Sequence, residues 1–181
     1  MRLLDTAGKR LADEGPQALS LRKLAAEAGT STTAVYSLFG GKPELMAAIH
    51  AEADRRFGDE LSAVEATDDP LADLNRLALA YRNFALTNPH LYVVMFGRSA
   101  PEEQDEQFDA AADQTFGPLL GMVRRAADAG LLLDVEPADI AMGLWAIVHG
   151  LMSLELNRNL TNANFDLVIG AALRGWLKNP D

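Results

Sequence analysis

The chain has 181 residues, no cysteine, 49% hydrophobic and 23% charged residues, and a net charge of −10. That length allows one ordinary domain, or a small head and a larger body, and the composition excludes wholesale disorder. Without cysteine there is no disulfide, thiolate metal site or cysteine nucleophile, which fits a reducing compartment.

The charge is unevenly spread. Residues 1–49 carry six bases and five acids, a net of +1, and residues 50–181 carry ten bases and 21 acids, a net of −11. A near-neutral head and an acidic body suit different partners. The opening Met1-Arg2-Leu3-Leu4-Asp5 has no signal-peptide shape, and the longest near-continuous apolar run, Ile140 to Met152, is read as too short to span a bilayer. The expectation is a cytoplasmic protein with no membrane partner.

Apolar residues recur at three- and four-residue spacing almost throughout, which predicts an all-α fold of about nine helices. The first runs from Arg2 to Glu14. Two short ones follow, Leu21 to Ala28 and Thr32 to Phe39. A long helix opens near Lys42-Pro43-Glu44, with proline in its first turn, and reaches about Glu65. Asp69 is a suitable N-cap for Pro70 to Thr87. Then come Pro89 to Gly97 and a long segment from about Pro101 to Ala129. Inside that segment Gly117-Pro118 predicts a kink or a meeting of two helices. Pro137 to Leu156 and Phe165 to Leu177 complete the series.

The second and third helices form a recognisable unit. Leu21, Leu24, Ala25 and Ala28 share one face of the first; Ala34, Val35, Leu38 and Phe39 share one face of the second. Ser20 and Ser31 are placed as caps and Gly29 makes the turn. The outer face of the second helix carries Thr32, Thr33, Tyr36 and Ser37 instead of the strong helix formers usual on a plain surface. This pattern describes a helix-turn-helix whose second helix could meet base edges in a major groove. Lys42, opening the next helix, is placed for a phosphate.

The run Leu21 to Leu45, with Val35-Tyr36-Ser37-Leu38-Phe39 and Lys42-Pro43-Glu44-Leu45, resembles the DNA-binding head of the tetracycline-repressor (TetR) family. Ala80 to Leu86, Asn88-Pro89-His90-Leu91-Tyr92, Met95-Phe96 and Leu144 to Leu151 resemble its WHG-type C-terminal domain, with Trp145, His149 and Gly150 at the naming positions. The resemblance implies a helix-turn-helix domain over 1–45 and an effector-binding and dimerisation domain over 46–181. It also implies a homodimer through the last two long helices. Arg22, Thr32, Thr33, Tyr36, Ser37 and Lys42 would then face a palindrome-like double-stranded DNA operator. Two positions depart from the family pattern. Thr30 stands where an apolar residue is common, and Leu38 where many members carry an aromatic or histidine, which removes part of the usual backbone contact. The chain also starts almost at its first helix, so no long basic arm is expected.

In the body, Tyr81, Phe84, Tyr92, Met95, Phe96, Phe116, Trp145 and His149 concentrate aromatic and thioether groups, as core or as the wall of a pocket for a small lipophilic effector. Trp145 and His149, four apart, share a helix face. Ile140 to Leu156 is apolar nearly all round, so a partner subunit would cover one side. The acids Glu102, Glu103, Asp105, Glu106, Asp109 and Asp113 read as a solvated helix face or a mobile loop rather than a cation site. No nucleophile elbow, phosphate loop or zinc-protease motif is present, so neither enzyme activity nor a metal or other cofactor is expected. The sequence therefore points to a ligand-responsive DNA-binding regulator, a repressor released from its operator by the effector. The alternative is a non-enzymatic helical protein-binding adaptor.

Overall fold

The structure, a computed structural model, describes the backbone of residues 2–15, 19–97, 106–157 and 164–179, and the side chains of these except residues 2 and 106–114. Among the described residues the fold is all-α, with nine helices. They are α1 (Arg2–Glu14), α2 (Leu21–Glu27), α3 (Thr32–Phe39), α4 (Lys42–Ser62), α5 (Pro70–Thr87), α6 (Pro89–Phe96), α7 (Glu106–Asp128), α8 (Pro137–Leu156) and α9 (Phe165–Arg174). The chain forms two compact units. One comprises 1–56 and 88–111, the other 57–87 and 112–181.

In the first unit, α1 packs on α6 and on α2, and α2 packs on α3. Ala7, Leu11, Leu24, Val35, Leu45 and Ile49 are buried there because the helical period returns them to one side of each helix. A methyl group at Gly8 would stand 3.5 Å from His90 and Leu91. Ion pairs fasten the rim: Arg56 reaches Asp5 at 2.8 Å and Glu52 at 2.7 Å.

In the second unit, α8 packs on α5 and α9, and α5 packs on α9. Leu74, Leu77, Tyr81, Phe84, Ile140, Leu144, Met152 and Ile169 form its core. Arg82 of α5 pairs with Glu155 of α8 at 2.8 Å, and its guanidinium lies 5.2 Å from the centre of the Phe165 ring of α9. One side chain thus ties three helices by charge and by cation–π attraction.

Several elements differ from the sequence expectation. α4 ends at Ser62, not near Glu65, because the following residues are bound elsewhere. The Glu65 carbonyl accepts from Arg76, and the Thr67 amide donates to Asp73 at 2.8 Å. α9 ends at Arg174. Beyond it Leu133 N–H donates to the Trp176 carbonyl at 2.8 Å, and Leu177 bridges to Leu132 in antiparallel fashion. α7 is one continuous helix through Pro118, so two helices do not meet there. The cost is the one backbone hydrogen bond that proline cannot donate. α8 is longer than its apolar run. At 20 residues and a mean hydropathy of 1.3 it is long and apolar enough to cross a bilayer by length and composition, and 28% of that window is buried inside the protein. Of the acidic cluster, residues 102–105 and the side chains of Glu106, Asp109 and Asp113 lie outside the described residues.

Candidate nucleic-acid interface and effector cavity

The α2–α3 pair is built by local chemistry. Ser31 Oγ accepts from the Ala34 amide at 3.1 Å, and Ser20 Oγ faces the Lys23 amide at 3.5 Å. Each satisfies a helix-end donor that would otherwise lack a partner. At the other end of α2, Gly29 takes φ +68°. Its amide donates to the Ala26 carbonyl at 3.2 Å, while the Thr30 amide donates to Ala25 at 2.8 Å. These two bonds make a Schellman closure, for which a left-handed residue after the cap is needed. Ala25, buried and small, lets α3 approach, and Val35 is fully buried opposite. Arg10 of α1 braces the end of α2, its Nε donating to Glu27 at 2.7 Å. That hydrogen bond, foremost, holds the Glu27 carboxyl below its ordinary range.

With Val35 inward, α3 turns Thr33, Tyr36 and Ser37 to solvent, and Tyr36 is 53% exposed. Thr32, the first residue of α3, is half-buried. Arg22 on α2 is exposed, and Lys42 at the start of α4 is half-buried. Leu38 corrects the sequence reading. It was expected on the inward face with Val35 and is 70% exposed. The inward stripe of so short a helix is narrow, and Leu38 falls outside it while Val35 stays buried. The outer surface therefore carries two hydroxyls, a phenol and an isobutyl group.

The second unit contains a cavity of about 40 Å³. Its wall draws on four sequence-distant helices and the end of α4: Leu61, Leu74, Leu77, Ala78 and Tyr81, then Thr115 and Leu119, then Leu144, Trp145 and Val148, then Ile169 and Leu173. Tyr81 Oη and His149 Nδ1 stand 3.0 Å apart. The His149 ring stacks on Trp145 with centroids 5.1 Å apart and planes 23° apart. Burial pushes the imidazole below its ordinary pKa. Phe57 supports Tyr81 edge-on at 4.9 Å and packs on Phe84 at the same distance.

Of the eight candidate pocket residues, Tyr81 and Trp145 line this cavity, and His149 joins them through its bond and stack. Phe84 is buried behind Phe57, and Phe116 is half-buried on α7; neither lines this cavity. Tyr92, Met95 and Phe96 belong to α6 in the first unit, where Tyr92 and Phe96 pair at 4.9 Å. Two features escaped the sequence reading. Thr115 is part of the wall. Asp73, fully buried, accepts from the Thr67 hydroxyl at 2.7 Å and amide at 2.8 Å, from Arg125 at 2.8 Å and from Arg76. The Thr67 hydroxyl, foremost, and the arginines hold its carboxyl far below the ordinary range. The available signal was an acid on the apolar stripe of α5, in line with Leu77 and Tyr81. Among the described residues no group of three His, Asp or Glu could hold a metal ion.

Residues 74–173 match the family described as "Tetracyclin repressor-like, C-terminal domain", and residues 3–49 match "Bacterial regulatory proteins, tetR family". The chain belongs to the TetR family. HTH-type transcriptional regulators of Mycobacterium tuberculosis and Mycobacterium bovis are 28% identical over 147 residues, 78% of this chain. The chain spans 57% of the length of those curated relatives. A solved protein of unknown function from Rhodococcus sp. RHA1 is 29% identical with a TM-score of 0.82, covering 97% of this TetR-family chain and 94% of that one. The TetR-family regulator PfmR of Thermus thermophilus (23% identical, TM-score 0.77, covering 96% and 95%) shares the fold. So does SmeT, the repressor of a multidrug efflux pump of Stenotrophomonas maltophilia (24% identical, TM-score 0.75, covering 98% and 90%).

Proposed function

We propose that this chain is a homodimeric repressor that leaves a palindrome-like operator when a small lipophilic effector enters the body. The observation that carries the reading is the outer face of α3, where Thr33, Tyr36 and Ser37 are exposed on a helix fixed by a buried Val35 and a closed glycine turn. Hydroxyls and a phenol on such a helix suit hydrogen bonding to base edges, with Thr32 and Arg22 beside them and Lys42 on a phosphate. The head is taken as 1–45, and the body as a WHG-type domain over 46–181, working in the cytoplasm.

A head of net charge +1 neutralises few phosphates, so tight binding calls for two heads. Their recognition helices would stand about 34–36 Å apart, one turn of B-DNA. Met142 and Leu154 on α8 and Leu167 on α9 are exposed apolar residues, which fits a four-helix interface formed from two copies of each helix. The effector would act through α4, which runs unbroken from Lys42 to Leu61 of the cavity wall, by binding the DNA-bound and released states unequally.

The test is fluorescence anisotropy with duplex DNA from the region upstream of its own coding sequence. Saturable, footprint-forming, salt-dependent binding is expected, and Lys42→Ala should lower the salt slope by about one per head. Binding no stronger than to random duplex in low salt would sink the reading in favour of the adaptor.

A further inference from the structure

Among the described residues the cavity wall carries no Lys, Arg, Asp or Glu. An ionic guest would lose its hydration and gain no counter-charge in an apolar site, which disfavours it strongly. Besides Thr115, the polar function at the wall is the Tyr81 hydroxyl, whose Oη stands 3.0 Å from His149 Nδ1 just behind it. In that pair one atom donates and the other accepts, whichever tautomer the imidazole adopts. A guest hydroxyl is donor and acceptor at once, so it can stand between the two atoms and reproduce both roles. A carbonyl can only accept. A hydrocarbon leaves the pair as it is.

We propose that the cavity takes an uncharged, mainly hydrocarbon molecule bearing one hydroxyl, which inserts between Tyr81 Oη and His149 Nδ1 while its apolar part lies among Leu77, Leu119, Leu144 and Trp145. This deepens the effector reading above and rests on it. The pair spans α5 and α8, so insertion separates two packed helices at a defined point. The cavity of about 40 Å³ is also smaller than the ~150 Å³ that a benzene-sized guest occupies in an apolar protein interior. Entry of a ring therefore moves the wall, which makes binding and conformational change one event. The selectivity should be moderate. When a guest lacks the hydroxyl, Tyr81 and His149 re-form their bond, so no polar atom is stranded. Discrimination is then of the order of one net hydrogen bond, roughly tenfold, instead of the far larger factor seen when a site is left unpaired.

The experiment is isothermal titration calorimetry of the full chain with four near-isosteric probes: p-cresol, p-xylene, p-toluate and 4-methylbenzylammonium. The expected order is p-cresol tightest, p-xylene about tenfold weaker, and both ions at least roughly 100-fold weaker than p-cresol. In Tyr81→Phe, and separately in His149→Phe, the preference of p-cresol over p-xylene should fall to within about twofold while p-xylene still binds. Tightest binding by either ion would overturn the proposal. So would a cresol preference unchanged in both variants, or binding of none of the probes at millimolar concentration. Anisotropy on operator DNA is run in parallel. Cresol bound with the stated preference but without effect on operator affinity would remove the release step of the proposed function and leave this assignment standing. Operator binding with no cresol preference would do the reverse.

Discussion

The helix pair α2–α3 and the cavity of the second unit are stabilised in opposite ways. The pair is held mostly from within its own stretch of sequence, by Ser20, Ser31, the Gly29 turn and the burial of Val35, with Arg10 of α1 as an outside brace. Its working surface is what remains outside. The cavity is assembled from α4, α5, α7, α8 and α9, and its working surface is what remains inside. A surface for reading a polymer can thus be set by caps and a turn, while a surface for sensing a small molecule depends on the packing of the whole unit. Changes on the outer face of α3 should therefore alter binding and spare stability. Changes behind the cavity wall should do the reverse.

The largest effect is expected at Phe57, fully buried against Tyr81 and Phe84. Phe57→Ala should cost about 3–5 kcal/mol of unfolding free energy, measured by urea denaturation. A loss below about 1 kcal/mol would mean the wall tolerates a hole. Next is Tyr36→Ala, which should weaken operator binding by about 1–3 kcal/mol per half-site in anisotropy, with the thermal midpoint almost unchanged. A loss of stability in place of affinity would erase the contrast between the two regions. Gly29→Ala is the case where the two readouts should move together. A side chain at φ +68° costs about 1–2 kcal/mol, and the same strain displaces α3. Unaltered stability would show that the turn relaxes to another closure.

The smallest effect is at Asp54, whose carboxyl burial raises to about 6. Its folded pKa lies above the unfolded value, so the folded state binds more protons between the two. The stability of the protein with respect to this group therefore falls as pH rises from about 4 to above 6. Asp54→Asn should flatten that decline and raise stability at pH 7 by about 1 kcal/mol, discounted because the group is partly solvated. Chemical denaturation of both proteins at pH 5 and pH 7 checks it. An equal pH 5 to pH 7 difference in the two would place the titration elsewhere. Glu52, held at about 2, foremost by its hydrogen bond from Arg55, matters only when the pH falls below its unfolded value.

Legibility in the sequence followed the same divide. Asp69 as the cap of α5 was readable because its carboxylate meets the Leu71 and Ala72 amides two and three residues on, at 3.1 and 3.0 Å. The turn at Gly29 was readable for the same local reason. Leu38 was misread because an apolar residue at a helical spacing need not have a neighbour to meet. The ends of α4 and α9 were misread because Arg76, Asp73 and Leu132, remote in sequence or on the next helix, capture the backbone beyond them. The grouping of Tyr81 with Trp145 and His149 was readable as an aromatic set. That α6 puts Tyr92 and Phe96 in the other unit was not, since composition does not say which helix a ring packs on.

Asp73 gathers donors from three separated stretches of chain: Thr67 before α5, Arg76 within it and Arg125 on α7, which also donates to the Thr67 carbonyl at 2.6 Å. Such a knot fixes the number of residues between Thr67 and Asp73, because adding one would carry the threonine amide and hydroxyl away from the carboxylate together. Natural or engineered lengthening of this protein should therefore be tolerated poorly in that seven-residue stretch and better in the exposed turn around Asp134 to Glu136, where no side chain is tied in this way among the described residues.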